Sequence, residues 1–242
     1  MIMATARPTR IGMIVPSSNT CLEPMSYRLL GDREDVTIHS TRIPVTRIAL
    51  DSGSDQQFDV KGMRNAAEML ATADVDVIAW NGTSGSWLGP EHDREIVAEI
   101  TAATDIPATT STLAYLNAFE ASGIKTIGLV TPYTADVNLQ VIERYKEAGV
   151  QVTGHHALGL SDNESFARVA PSDLVGPSLE LAAQSPDALV YLCTNLYAAP
   201  IVADIENQAH IPALDSVAVT LWRCLQIAGA PLLSPRWGKL LT

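Results

Sequence analysis

The sequence predicts an α/β protein of two pseudo-symmetric lobes. Each lobe is a mainly parallel sheet flanked by helices, with the active site in the cleft between them. Three observations carry this prediction. Short apolar runs alternate with helix-periodic stretches along the chain, the pattern of successive strand–helix units in a parallel sheet. The pattern occurs twice, and self-similarity at half-chain spacing points to two related lobes. The composition is aliphatic, with 47% hydrophobic and only 5% aromatic residues among 242, which suits sheets packed by Val, Ile, Leu and Ala.

The repeat is clearest in two stretches. Asp187-Ala188-Leu189-Val190-Tyr191-Leu192-Cys193-Thr194-Asn195 and Asp76-Val77-Ile78-Ala79-Trp80-Asn81-Gly82-Thr83-Ser84 share one plan: Asp, an apolar run, then small polar residues. Aligned from the Asp, Gly82 falls on Cys193 and Thr83 on Thr194. Arg10 to Pro16 similarly resembles Thr126 to Pro132, and Ile106-Pro107-Ala108 resembles Ile211-Pro212-Ala213. The lobes are therefore expected at 1–113 and 114–225, with a tail over 226–242 packing back on the body.

Taken in order, Arg10 to Val15 reads as a central strand ending in Pro16-Ser17-Ser18-Asn19-Thr20, a loop before a helix over 23–30. Asn19 suits either a helix cap or a ligand hydrogen bond at a helix N-terminus. Val36 to Thr41 is the next strand. Residues 42–58 form a long polar connection of the kind used as lids, with a mobile stretch expected at Asp51 to Asp55. A helix over 60–73 places Met63, Ala66, Ala67 and Leu70 on one face. The strand 75–80 leads into Asn81 to Trp87, read as a loop whose backbone N–H groups can form an anion nest.

A helix over 91–103, a strand over 106–110 and a helix over 111–122 complete the first lobe. In the second, strand 125–130 ends in Thr131-Pro132-Tyr133-Thr134, so the Tyr133 phenol sits at a strand end. Helix 135–148 and strand 150–155 follow. His155 and His156, adjacent on a strand, face opposite sides and make a poor joint metal site. Asn163 lies in the loop equivalent to the first lobe's long one, where it either reaches the cleft or caps a turn. Helices over 172–184, 200–208 and 217–227 and the strands at 187–192 and 211–214 finish the lobe, and Gly123, Gly149 and Gly229 act as helix stops.

Composition excludes several functions. A net charge of −11 disfavours nucleic acid and anionic membranes as partners. No apolar run approaches the roughly 18 residues that span a bilayer, and no signal-peptide core follows the N-terminus, so a cytoplasmic protein is expected. Three cysteines, Cys21, Cys193 and Cys224, have no CxxC spacing, so neither a disulfide framework nor a zinc site is indicated. There is no dinucleotide fingerprint and no phosphate P-loop. The length and tail admit a monomer or a homo-oligomer.

The strand ends would bring together one thiol, Cys193, and many neutral donors: Asn19, Thr83, Ser84, Tyr133, Thr134 and Thr194, with no His beside the thiol. Neutral donors suit a carboxylate whose charge grows in the transition state. A thiol suits proton transfer at the adjacent carbon. The repeat, Pro16 to Thr20, Val130 to Thr134 and Leu192-Cys193 together resemble the aspartate/glutamate racemase superfamily, in its maleate isomerase and arylmalonate decarboxylase branch, over nearly the whole chain. Racemases and isomerases of this superfamily carry a Cys in each half, but here the first is Gly82.

Gly82-Thr83-Ser84 with a lone second Cys resembles the decarboxylases. That resemblance implies a cofactor-free, metal-free reaction on a small dicarboxylate of the arylmalonate type. Thr83, Ser84 and Tyr133 would hold the retained carboxylate, and Cys193 would protonate the enediolate. Asn19 and Asn163 instead match positions where the isomerases contact a substrate carboxylate, so isomerisation or racemisation of a small dicarboxylic acid is the alternative. An inactive carboxylate-binding homologue is the third reading. Replacing Gly82 by Cys is expected to restore a two-thiol site.

Overall fold

The computed structural model describes residues 7–51, 53 and 56–242. Ser52, Ser54 and Asp55, within the stretch expected to be mobile, lie outside the described residues, as do residues 1–6. Two four-stranded parallel sheets make up the fold. The first contains β1 (Thr9–Pro16), β2 (Val36–Ile43), β3 (Val77–Trp80) and β4 (Ala108–Thr110) in the order β2-β1-β3-β4. The second contains β5 (Thr126–Thr131), β6 (Gln151–Ala157), β7 (Ala188–Tyr191) and β8 (Ala213–Asp215) in the order β6-β5-β7-β8. The sequence repeat is thus a topological repeat, and among the described residues every pairing within the two sheets is parallel.

The central strands β3 and β7 are buried at every residue, which is why they read as continuous apolar runs rather than alternating ones. The Asp before each run latches the sheet. Asp76 accepts the Arg10 N–H at 2.8 Å, and Asp187 accepts the N–H groups of Lys125 and Thr126 at 2.9 and 2.8 Å. Both aspartates thereby fix the start of the neighbouring central strand, and hence how far its other end reaches into the cleft.

The helices are α1 (Leu22–Leu30), α2 (Val60–Ala71), α3 (Gly85–Leu88), α4 (Pro90–Thr104), α5 (Ser111–Ser122), α6 (Ala135–Glu147), α7 (Asn163–Phe166), α8 (Pro171–Ala182), α9 (Val202–Ala209) and α10 (Ser216–Ile227). Helices α3 and α7 fall in stretches read as loops from the sequence. One turn is too short to show a periodicity, and α7 is held by its cap, Asp162, which accepts the Ser165 N–H at 3.1 Å. Helix α9 begins later than expected because Ala199–Ile201 is a 3₁₀ turn. The stops at Gly123, Gly149 and Gly229 all have positive φ, of 68°, 81° and 66°, a region that glycine enters without strain.

Contacts on two sides, among others, join the halves. Helices α5 and α10 pack together, with the Thr220 hydroxyl donating to Ser111 Oγ at 2.8 Å. From α5, Tyr115 donates to the Tyr191 carbonyl at the end of β7 at 2.7 Å. On the opposite side the long connection of the first half crosses to the second. Ile48 N–H donates to the Ser161 carbonyl at 2.9 Å and Asn163 N–H to the Thr46 carbonyl at 3.0 Å. Among the described residues no helix is long and apolar enough to cross a membrane.

The tail packs between α9 and the end of α1, where Arg33 donates to the Pro231 carbonyl at 2.7 Å, with Leu233, Trp237 and Leu241 buried. Its anchor is Glu206 of α9, a buried carboxylate that accepts the Ala213 N–H at 3.0 Å and the Lys239 N–H at 3.1 Å. Replacing it strands two backbone donors in the interior. Glu206→Ala is expected to cost about 2 kcal/mol, read in a thermal melt as a drop of about 5 °C.

Candidate active site

The carboxyl ends of β1, β3, β5 and β7 converge, as expected for the switch point of an open parallel sheet. They enclose a small cavity. Its polar side is formed by Gly82, Thr83, Tyr133, Asn163, Cys193 and Thr194. Its apolar side is formed by Pro16, Val45, Ile48, Phe58, Trp80 and Trp87. The cavity is tight, with about 20 Å³ open to water, room for about one molecule. Larger surface grooves, such as that between Pro90, Leu116, Arg144 and Gly149, contain none of these strand ends. The smaller cavity is the candidate site because the reactive groups face it.

Cys193 lies two residues past β7, where the chain leaves the ladder. Its N–H donates to Ser216 Oγ at 2.9 Å, and its Sγ accepts the Asn195 N–H at 3.3 Å. The Tyr133 hydroxyl borders the same cavity as the sulfur, and is 2.7 Å from Thr83 Oγ1. Thr83, Tyr133 and Cys193 therefore face one cavity from the two halves. Burial pushes the Cys193 thiol up to about 12. The Asn195 N–H and the Tyr133 hydroxyl oppose that shift, while the nearby Asp215 reinforces it. At neutral pH the group is a thiol, suited to giving a proton rather than to nucleophilic attack.

Thr194 borders the cavity, but its hydroxyl proton is engaged by the Asn81 carbonyl at 2.9 Å. Asn163 also borders it, and its Nδ2 donates to Ser18 Oγ at 2.8 Å. Three residues singled out from the sequence do not border the cavity. Asn19 is a helix cap: its Oδ1 accepts the Cys21 and Leu22 N–H groups at 3.0 and 2.8 Å, while its Nδ2 donates to Thr194 Oγ1 at 3.2 Å. Ser84 is buried behind the loop, accepting from Trp80 Nε1 at 3.3 Å. Thr134 is the residue at which α6 starts.

The expectation that Gly82→Cys restores a two-thiol site needs correction. A Cβ at position 82 would lie 2.2 Å from Cζ2 of Trp80, so the indole already fills the space into which that side chain would point.

Sequence reasoning missed the aromatic wall. Phe58 meets Trp80 at 6.3 Å between ring centroids and Trp87 at 5.8 Å, and Trp87 meets Tyr133 edge-on at 5.4 Å. The signal was present in part, since Trp80 and Trp87 flank the Gly82–Gly85 loop. It also missed Asp93 on α4, fully buried against that loop. One oxygen of its carboxyl group accepts from the Thr110 hydroxyl, while the other is buried without a hydrogen-bond partner. A Cβ at Gly85 would lie 2.4 Å from the Asp93 carboxyl carbon, so only glycine lets the loop approach. Among the described residues no three His, Cys, Asp or Glu side chains are grouped to hold a metal.

The arylmalonate decarboxylase family model matches residues 11–241. The chain belongs to the arylmalonate decarboxylase family. It is an α/β enzyme-family member related to proteins of two named activities. It is 28% identical to a maleate isomerase of Geobacillus stearothermophilus, over 98% of each chain. It is 26% identical to the arylmalonate decarboxylase of Bordetella bronchiseptica, again over 98% of each chain. Its structure is similar to the crystal structure of a maleate isomerase from Pseudomonas putida S16, with a TM-score of 0.89, 26% identity, and coverage of 97% of this chain and 98% of that one. The racemase-superfamily resemblance and the two-sheet architecture read from the sequence therefore hold.

Two measurements check the electrostatics. The three cysteines are all buried, and burial raises each thiol. A disulfide reagent at pH 8 is expected to label none of them rapidly, about a thousandfold slower than free cysteine, and to label all three in denaturant. Asp93 is pushed up to about 7 by burial. Between the ordinary aspartate range and pH 7, the unfolded chain ionises this group while the folded one keeps the proton, so stability falls as pH rises. Relative to Asp93→Asn, the native protein is expected to lose about 1.4 kcal/mol per pH unit across that window and nothing further above it, measured by denaturant titration at several pH values.

Proposed function

We propose that the protein is a cofactor-free decarboxylase of a substituted malonate in which Cys193 supplies the proton that replaces the departing carboxylate. The observation that carries this reading is a single protonated thiol facing an aromatic and aliphatic wall, with no second thiol opposite it. The retained carboxylate would take hydrogen bonds from Thr83 and Tyr133. The other would lie against Val45, Ile48, Phe58, Trp80 and Trp87, where its charge is poorly solvated and its loss as carbon dioxide is favoured.

The electron pair of the broken C–C bond passes into the enediolate, whose growing charge the Thr83 and Tyr133 donors stabilise. The Cys193 S–H then protonates the α-carbon, and the carboxylate re-forms. The Asn195 N–H and the Tyr133 hydroxyl hold the resulting thiolate until it takes a proton from water. The similarity to the arylmalonate decarboxylase of Bordetella bronchiseptica supports the reading, and so does Asn19, whose amide is already engaged as a helix cap.

A second reading, cis–trans isomerisation of a small dicarboxylic acid, is favoured by one observation: the Asn163 side chain borders the cavity, and relatives of equal similarity are named maleate isomerases. The two separate in one assay. Decarboxylation is expected to release carbon dioxide from a panel of alkyl- and arylmalonates and, in deuterium oxide, to leave one deuteron on the α-carbon. Conversion of maleate to fumarate without gas release would establish the second reading instead. Cys193→Ala is expected to lower kcat at least a hundredfold with unchanged circular dichroism. Tyr133→Phe is expected to lower it about a hundredfold. Full activity of either variant would discard its assigned role.

A further inference from the structure

Positions 82 and 193 are equivalent in the repeat, one from each half, yet only position 193 carries a side chain. The structure shows what stands in the other's place. Trp80 is fully buried, and its Cζ2, Cε2 and Nε1 atoms lie 2.2, 2.4 and 2.8 Å from where a Cβ on Gly82 would be. The ring is held there. Nε1 donates to Ser84 Oγ at 3.3 Å, and the face meets Phe58 at 6.3 Å. Trp80 also borders the same cavity as Cys193.

An indole N–H is a donor only and has no proton-accepting role, and this one is already engaged by Ser84. A substrate carbon between the two halves therefore meets a proton donor on one side and an inert ring on the other. We propose that Trp80 is the specificity-determining residue of this site: its indole replaces a first-half acid–base group, so that protons reach and leave the substrate carbon only on the Cys193 side.

The inference rests on the decarboxylase reading for its chemistry, while its packing component stands alone. It makes the enzyme one-faced: each enediolate is protonated on the side turned towards Sγ, and the product's new C–H bond cannot be reopened from the opposite face. The substrate class narrows accordingly, to malonates whose α-substituent leaves the indole edge uncovered. The reverse step, removal of an α-proton by a base at position 82 with protonation from Cys193, balances with no other reagent, because one proton leaves the carbon and one is returned. It needs both a thiol at 82 and room for it.

A melting cycle tests the packing. Gly82→Ala is expected to lower Tm by about 5 °C in the native background, and by less than about 1 °C in a Trp80→Leu background, where the ring no longer reaches the added methyl. An equal drop in both backgrounds, or none in either, overturns the proposal. The chemical test incubates a substituted acetic acid in deuterium oxide with the native protein, Gly82→Cys, and Trp80→Leu/Gly82→Cys. Exchange of the α-hydrogen is expected to be at least tenfold faster in the double variant than in Gly82→Cys, and undetectable in the native protein. Exchange as fast in Gly82→Cys as in the double variant, or in neither while the native protein releases carbon dioxide from malonates, overturns it. Absence of carbon dioxide release from the native protein would instead sink the decarboxylase reading, with the melting cycle still deciding where the indole lies.

Discussion

The site depends on one side chain that belongs to neither the thiol nor the donors. Asn195 reaches from the second half to the first, where its Oδ1 accepts the Thr20 and Cys21 N–H groups at 2.9 and 3.0 Å and its Nδ2 donates to the Asn163 carbonyl. Its own backbone N–H donates to Cys193 Sγ. One residue thus satisfies orphan donors at the start of α1, fixes the loop that carries Asn163, and sets the position of the sulfur. Without it, the Thr20 N–H would lose its partner and the Cys21 N–H would be left with Asn19 Oδ1 alone. Asn19 does the complementary work from the first half, joining the same helix start to Thr194.

With the halves locked in this way, the chemistry follows from dryness. Burial keeps the thiol protonated and raises the Tyr133 phenol well above its ordinary range. Neither is a ready base, and both are neutral donors. The site accordingly offers hydrogen bonds without fixed charge. That is the environment in which an oxyanion formed during reaction gains most from donors already in place.

Much of the architecture was legible because it is periodic and repeated. The Asp latches, the apolar runs of β3 and β7 and the glycine stops all announce themselves in local spacing. Cys193, Thr83 and Tyr133 could be found because strand ends are where the topology gathers side chains. What could not be read was anything that depends on three-dimensional contact between distant segments. Phe58, Trp80 and Trp87 have nothing in their spacing that marks them as one wall. Asp93 looks like an ordinary helix-start acid until its carboxyl is seen beneath Gly85. Ser84, a neighbour of Thr83 in a promising loop, turned away from the cavity because the Trp80 indole offered it a donor. The identity of a loop residue was legible, but the direction of its side chain was not.

The pairing of Thr46 and Ile48 with Asn163 and Ser161 has a kinetic consequence. Those two backbone hydrogen bonds join one half to the other over a cavity with space for about one water. A substrate larger than a water fits there only if the walls of that cavity move. A gas molecule without charge slips out through far smaller fluctuations than an anion does. In the proposed decarboxylation a closed seam would therefore hold back the charged product more than the carbon dioxide.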